Sequence, residues 1–127
     1  MARLGEIVID ADHPARLARF WEAVLDDYSI RPYNDAEIAP LASLGLTPGT
    51  GPSVLLDGPG PVICFQLMVG PRPARNRIHL DVITADRETE VERLSGPGAT
   101  HFREAPGYTV LRDPEGNQFC VVGPRRA

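Results

Sequence analysis

Two hydrophobic periods alternate along the chain. Residues 4–10, Leu-Gly-Glu-Ile-Val-Ile-Asp, run with period two. Ile7 and Ile9 point one way and Glu6, Val8 and Asp10 the other, as in a half-buried strand. The period then lengthens. Leu17, Phe20, Trp21, Val24 and Leu25 fall at i, i+3, i+4, i+7 and i+8, the stripe of an amphipathic helix over residues 13–26. Asp12 suits its N-cap, Pro14 is tolerated in its first turn, and the stripe assigns Trp21 to packing. A short strand is expected over 28–33 and a helical turn over 35–44. Gly45, Pro48, Gly49, Gly51 and Pro52 make a loop, and strands follow over 53–57 and 62–69.

The second half opens with alternation over 77–83, where Ile78, Leu80 and Val82 line one face and Arg77, His79 and Asp81 the other. Thr84 or Asp86 caps a short helix that ends at Leu94, before Gly96-Pro97-Gly98. Strands are expected over 100–104, 108–112 and 118–122. The last is entered through Asp113-Pro114-Glu115-Gly116-Asn117, where proline suits the second turn position and glycine can take positive φ. The order is therefore β-α-β-β-β, a Pro/Arg connector, and β-α-β-β-β. Direct sequence repetition is weak, and it is the order of elements that implies two copies of one unit, 1–70 and 76–123, within a single domain over 1–127. The expected fold class is α+β: paired βαβββ modules forming a cupped, partly closed mixed sheet with helices outside and a shared trough inside.

Composition narrows the partners. A chain of 127 residues has room for one domain with a real core. No apolar run approaches the roughly 20 residues of a membrane helix. The N-terminal residues enter a strand without an apolar region that ends in a cleavage site, so a cytoplasmic protein is expected. The formal net charge of −4 speaks against nucleic acid. The nearest basic cluster, Arg72, Arg75 and Arg77, is interleaved with Pro and Asn and has no aromatic platform. Cys64 and Cys120 each lie inside an apolar strand-like run and form no CxxC pair, so two reduced, partly buried thiols are expected rather than a thiolate zinc site. There is no Gly-rich phosphate loop, nucleophile elbow or HExxH.

The chemistry concentrates on Arg77, His79 and Asp81. Burying these three groups without partners is costly, so they form either a self-satisfied ion network or a ligand site. In a ligand site, the planar fork of Arg77 binds an anionic group, His79 serves as general acid or base, and Asp81 orients it. Glu6 and Asp10 flank Val8 on one side of the first strand and form a possible carboxylate pair, although a backbone hydrogen bond near the helix start is the plainer role for Asp10. Gln66 and Gln118 can orient a ligand as uncharged donors and acceptors, and are equally suited to a structural role. His13 is expected to be exposed, His101 lies in a late strand, and Tyr28, Tyr33 and Tyr108 are candidates for the rim of the trough.

Three segments carry a resemblance. They are Asp12-x-x-x-x-Leu-Ala-Arg-Phe-Trp-x-x-x-Leu, Asn76-Arg-Ile-His-Leu-Asp-Val, and Asp113-Pro-Glu-Gly-Asn-Gln-Phe-Cys-Val. Together they resemble the vicinal-oxygen-chelate superfamily (glyoxalase, bleomycin-resistance and dioxygenase proteins), in its glyoxalase-like branch, over nearly the whole chain except 34–61. The resemblance implies paired βαβββ modules, a small-molecule ligand and a homodimer. Its members include lyases, isomerases, dioxygenases, epimerases, thiol transferases that inactivate antibiotics, and proteins that only sequester drugs.

The superfamily's metal enzymes place His or Glu at four inward positions, on the first and last strands of each half. By resemblance these fall near Glu6, at about Gln66, at Arg77 and at Cys120. Arg77 stays protonated and cannot ligate, and Gln66 is a poor ligand. A Glu/Gln/Cys set is no familiar metal site, so neither a catalytic metal nor another cofactor is expected. Two readings follow. One is a metal-independent enzyme of lyase or isomerase type acting on a small polar or anionic metabolite. In it His79 and Asp81 are catalytic, and Glu6, Val8, Asp10, Gln66, Arg77, Gln118 and Cys120 line the ligand site. The alternative is a non-catalytic binding protein of the bleomycin-resistance type; an accessory module without a ligand is weaker still.

Overall fold

The computed structural model describes residues 1, 3–32, 52–68, 70–71 and 78–124. The helical turn expected over 35–44, most of the loop after it, Tyr33, the Arg72/Arg75 cluster and Arg77 lie outside these residues. The chain forms two compact units, residues 1–70 and 71–127.

The first unit comprises β1 (Glu6–Ala11), α1 (Pro14–Val24), β2 (Ser29–Ile30), β3 (Ser53–Asp57) and β4 (Val62–Leu67), with sheet order β1-β4-β3-β2. β1 runs parallel to β4, and the other pairs are antiparallel. The helical stripe is buried as its spacing predicts: Leu17, Phe20, Trp21 and Val24 pack with Val54, Leu56, Ile63 and Phe65 on one side of β3 and β4. Phe20 and Trp21 meet edge to face with ring centroids 5.5 Å apart. The N-cap is His13 rather than Asp12, and no side chain caps it. Pro14 removes one of the donors that a cap would satisfy. The strand expected over 28–33 shrinks to two residues, beyond which the guanidinium of Arg31 grips Asp57 through two hydrogen bonds of 2.8 and 2.6 Å.

The second unit comprises β5 (Asp81–Ile83), α2 (Arg87–Leu94), β6 (Thr100–Ala105), β7 (Tyr108–Arg112) and β8 (Gln118–Val122), with sheet order β5-β8-β7-β6. That is the permutation of the first unit. Again the first and last strands are parallel and the rest antiparallel, so the repeat is one of topology. α2 covers β7 and β8 with Leu94 over Leu111, Phe119 and Val121. Asp86, not Thr84, is its cap: one carboxylate oxygen accepts from the Thr89 amide at 3.2 Å and the other from the Thr89 hydroxyl at 2.8 Å. Asp113 holds the last turn, with one carboxylate oxygen accepting from the amides of Glu115 (2.9 Å) and Asn117 (3.0 Å), and Gly116 takes φ +85°.

One strand starts later than its alternation implies. Pairing begins at Asp81, and Ile78, expected on the core face, is 78% exposed. The Cys120 amide donates to the Leu80 carbonyl at 2.9 Å, just before the first paired residue.

Candidate functional site

Alternation and register decide which side chains share a face. In the second unit Phe119, Val121, Leu111 and Thr109 point toward α2. The opposite face carries Asp81, Gln118, Cys120, Val110, Tyr108 and Arg112. A single row crosses all four strands of this face: Asp81 pairs with Cys120, Cys120 with Val110, and Val110 with Arg103.

At one end of the row three reactive groups converge. His79 Nε2 lies 3.3 Å from Asp81 Oδ1. The ligating atoms of His79, Asp81 and Cys120 all fall within 4.8 Å of one another. His79 is 57% and Asp81 37% exposed, whereas Cys120 is 9% exposed and forms the floor. Burial pushes the Cys120 thiol above its usual range. The charge of Asp81 and a hydrogen bond from the thiol to that carboxylate push it further, and Arg103 opposes them. Asp81 therefore accepts from a thiol and faces an imidazole at once. Although His79 precedes the strand, two residues of spacing suffice to bring its ring to Asp81.

The first unit arranges its candidates differently. Glu6, Val8 and Asp10 form an exposed row on the side of the sheet away from α1. Glu6 is level with Val62, Val8 with Cys64, and Asp10 with Gln66. Glu6 and Gln66 thus sit four positions apart on adjacent parallel strands, roughly 13 Å along the sheet. They cannot meet as two ligands of one ion, contrary to what the carried-over ligand positions imply. Glu6 and Asp10 are likewise not a close carboxylate couple, and Asp10 makes no hydrogen bond to the helix start among the described residues. Burial and then the charge of Glu6 raise the Cys64 thiol. Both cysteines are free and buried. The hydroxyl of Tyr28 donates to the Pro61 carbonyl at 2.9 Å, a structural role.

Two residues of the row were not among the sequence candidates for the site. Arg103 holds its guanidinium 5.9 Å from the ring centroid of Tyr108, and its charge acts on Cys120. A bulge between His101 and Arg103 hides this from alternation. Counted as a regular strand, His101 and Arg103 share a face. With the bulge, His101 is level with Leu111 on the helix side and Arg103 with Val110 on the other. His101 instead pairs with Glu104 at 3.1 Å, and Glu104 also accepts from Thr109.

The sequence profile of the glyoxalase-like domain matches residues 6–122. The chain belongs to that family. Solved structures agree on the fold of this glyoxalase-like protein. A glyoxalase/bleomycin resistance protein/dioxygenase family enzyme from Burkholderia phytofirmans aligns with TM-score 0.66 at 18% identity, over 96% of this chain and 98% of the other. The trypanothione-dependent glyoxalase I of Leishmania major aligns with TM-score 0.60 at 14% identity, over 97% and 87%. The fosfomycin resistance protein FosX of Listeria monocytogenes, complexed with Mn(II) and a dihydroxypropylphosphonic acid, aligns with TM-score 0.67 at 15% identity, over 98% and 94%. No curated protein matches the chain by sequence.

A metal in such a relative raises the question of fit. An imidazole nitrogen, a carboxylate oxygen and a sulfur so close together suit a borderline divalent ion such as zinc. The exposure of His79 and Asp81 would leave positions open to a ligand. Cys120 would give up its proton to the ion, whose charge would offset the burial and the neighbouring carboxylate that raise the thiol.

Proposed function

We propose that this glyoxalase-like protein is a metal-independent enzyme of lyase or isomerase type acting on a small polar or anionic metabolite, with the His79–Asp81–Cys120 corner as its reacting centre. The carrying observation is the 3.3 Å approach of His79 to Asp81 above a thiol whose proton the fold retains. His79 moves a proton to or from the substrate. Asp81 orients the imidazole, and Cys120 completes the floor. Gln118, two residues before Cys120 on the same face, offers an uncharged donor and acceptor for orientation. The protein works as a cytoplasmic homodimer, for which sedimentation velocity is the test.

A second reading rests on the same corner. His79, Asp81 and Cys120 would hold a divalent ion, which would supply Lewis-acid polarisation of a substrate oxygen. Asp81 would then serve the ion instead of orienting His79.

The test is a thermal-shift screen of chelator-treated protein against small carboxylates, phosphates, hydroxy acids and aldehydes, followed by mass analysis of each stabilising compound after incubation. The enzyme reading expects a compound that is both bound and consumed. Binding without consumption supports the sequestering alternative, and consumption only after a divalent ion is restored supports the metal reading.

A further inference from the structure

The row Asp81–Cys120–Val110–Arg103 has unlike ends and a small floor. Adjacent strands lie about 4.8 Å apart, so the backbone of Arg103 is roughly 14 Å from that of Asp81 and roughly 10 Å from that of Cys120. An extended arginine spans most of the second distance. Cys120 and Val110, both short and buried, occupy the middle of the row. Proton-handling groups stand at one end and a guanidinium at the other.

Among the described residues the Arg103 guanidinium makes no hydrogen bond or ion pair; it stands by the face of Tyr108, and its charge reaches Cys120. A cation over a tyrosine ring is held in direction while its planar N–H fork stays available. Arg112 on the same face is parked more tightly, 4.1 Å above the Phe102 ring. Arg93, by contrast, is engaged by Glu90 on α2.

We infer that Arg103 is the anion-recognising residue of this site, and that the substrate carries a carboxylate or phosphate-type group separated by a few bonds from the atom that exchanges a proton at His79. The inference rests on the proposed reacting centre and adds its specificity determinant. A monoanion or dianion suits the fork of Arg103, with its remainder directed toward His79. A neutral or cationic metabolite of the same size lacks that hold.

The probe is inorganic phosphate, titrated at constant ionic strength into chelator-treated protein and followed by backbone amide NMR. Saturable shifts at Arg103, Tyr108 and Cys120 are expected. Arg103→Met should weaken the binding about tenfold or more, the size of losing a charge-assisted pair. Arg103→Lys, which keeps charge and fold but loses the fork, should fall between. Arg93→Gln should bind phosphate as the parent does. Unchanged affinity in both Arg103 variants, or shifts that never saturate, would overturn the inference. Failure at Arg103 is read from phosphate binding and failure at the reacting centre from turnover, so the two give different results.

Discussion

Asp81 and Cys120 are register partners across the parallel β5–β8 ladder, and the Asp81 carboxylate both accepts from the Cys120 thiol and lies 3.3 Å from the His79 ring. A carboxylate placed this way fixes two neighbours. With burial as the larger cause, it helps keep the sulfur protonated, and it sets the imidazole's orientation.

The thiol is the accessible readout of that relationship. In a Cys64→Ser background, Cys120 should react slowly with iodoacetamide at neutral pH, with its rate rising only above the usual thiol range. Asp81→Asn removes the negative charge that raises the thiol, so reaction at pH 8 should accelerate severalfold. Equal rates in the two proteins would show that Asp81 does not control the sulfur.

The turn before β8 should dominate the stability of the second unit. Asp113 is buried and holds two backbone amides through one oxygen. Asp113→Ala leaves those donors without their acceptor and should cost about 1–3 kcal/mol in urea unfolding. Gly116→Ala places a side chain at φ +85° and should cost about 1 kcal/mol. If neither midpoint moves, the turn does not position Cys120.

Acid should act on the first unit through Arg31 and Asp57. The hydrogen-bonded guanidinium holds the Asp57 carboxyl below the usual carboxylate range. The contribution is therefore present above the unfolded-state pKa, about 3.9, and is lost as pH falls through the lower folded value. Both side chains are exposed, so the effect is small and screened by salt. The melting temperatures of wild type and Asp57→Asn should differ at pH 6 in low salt and converge below about pH 3. A gap that persists in acid would mean another cause.

Much of this was legible in the chain. The stripe Leu17–Phe20–Trp21–Val24 specified α1, and the Asp113–Asn117 turn specified the entry to β8, because both are local signals. The side of His79 and Asp81 was also readable from alternation. What was not readable depended on pairing. The contact of Asp81 with Cys120 is a register between strands far apart in sequence, and the face of Arg103 is set by a bulge that one strand's alternation cannot show. The distance between Glu6 and Gln66 is likewise a property of the β1–β4 register, so ligand positions carried over one strand at a time do not reveal that the two are far apart.

The central claim is that His79, held by Asp81, moves the proton without a metal. The most direct measurement is the turnover of a consumed compound by chelator-treated wild type and His79→Gln, with binding measured on the same samples. The account predicts that His79→Gln binds within about threefold of wild type while kcat falls by about 10²–10⁴-fold, and that added zinc or manganese changes neither protein. Wild-type turnover in His79→Gln, or turnover that chelation abolishes and a divalent ion restores, would contradict it.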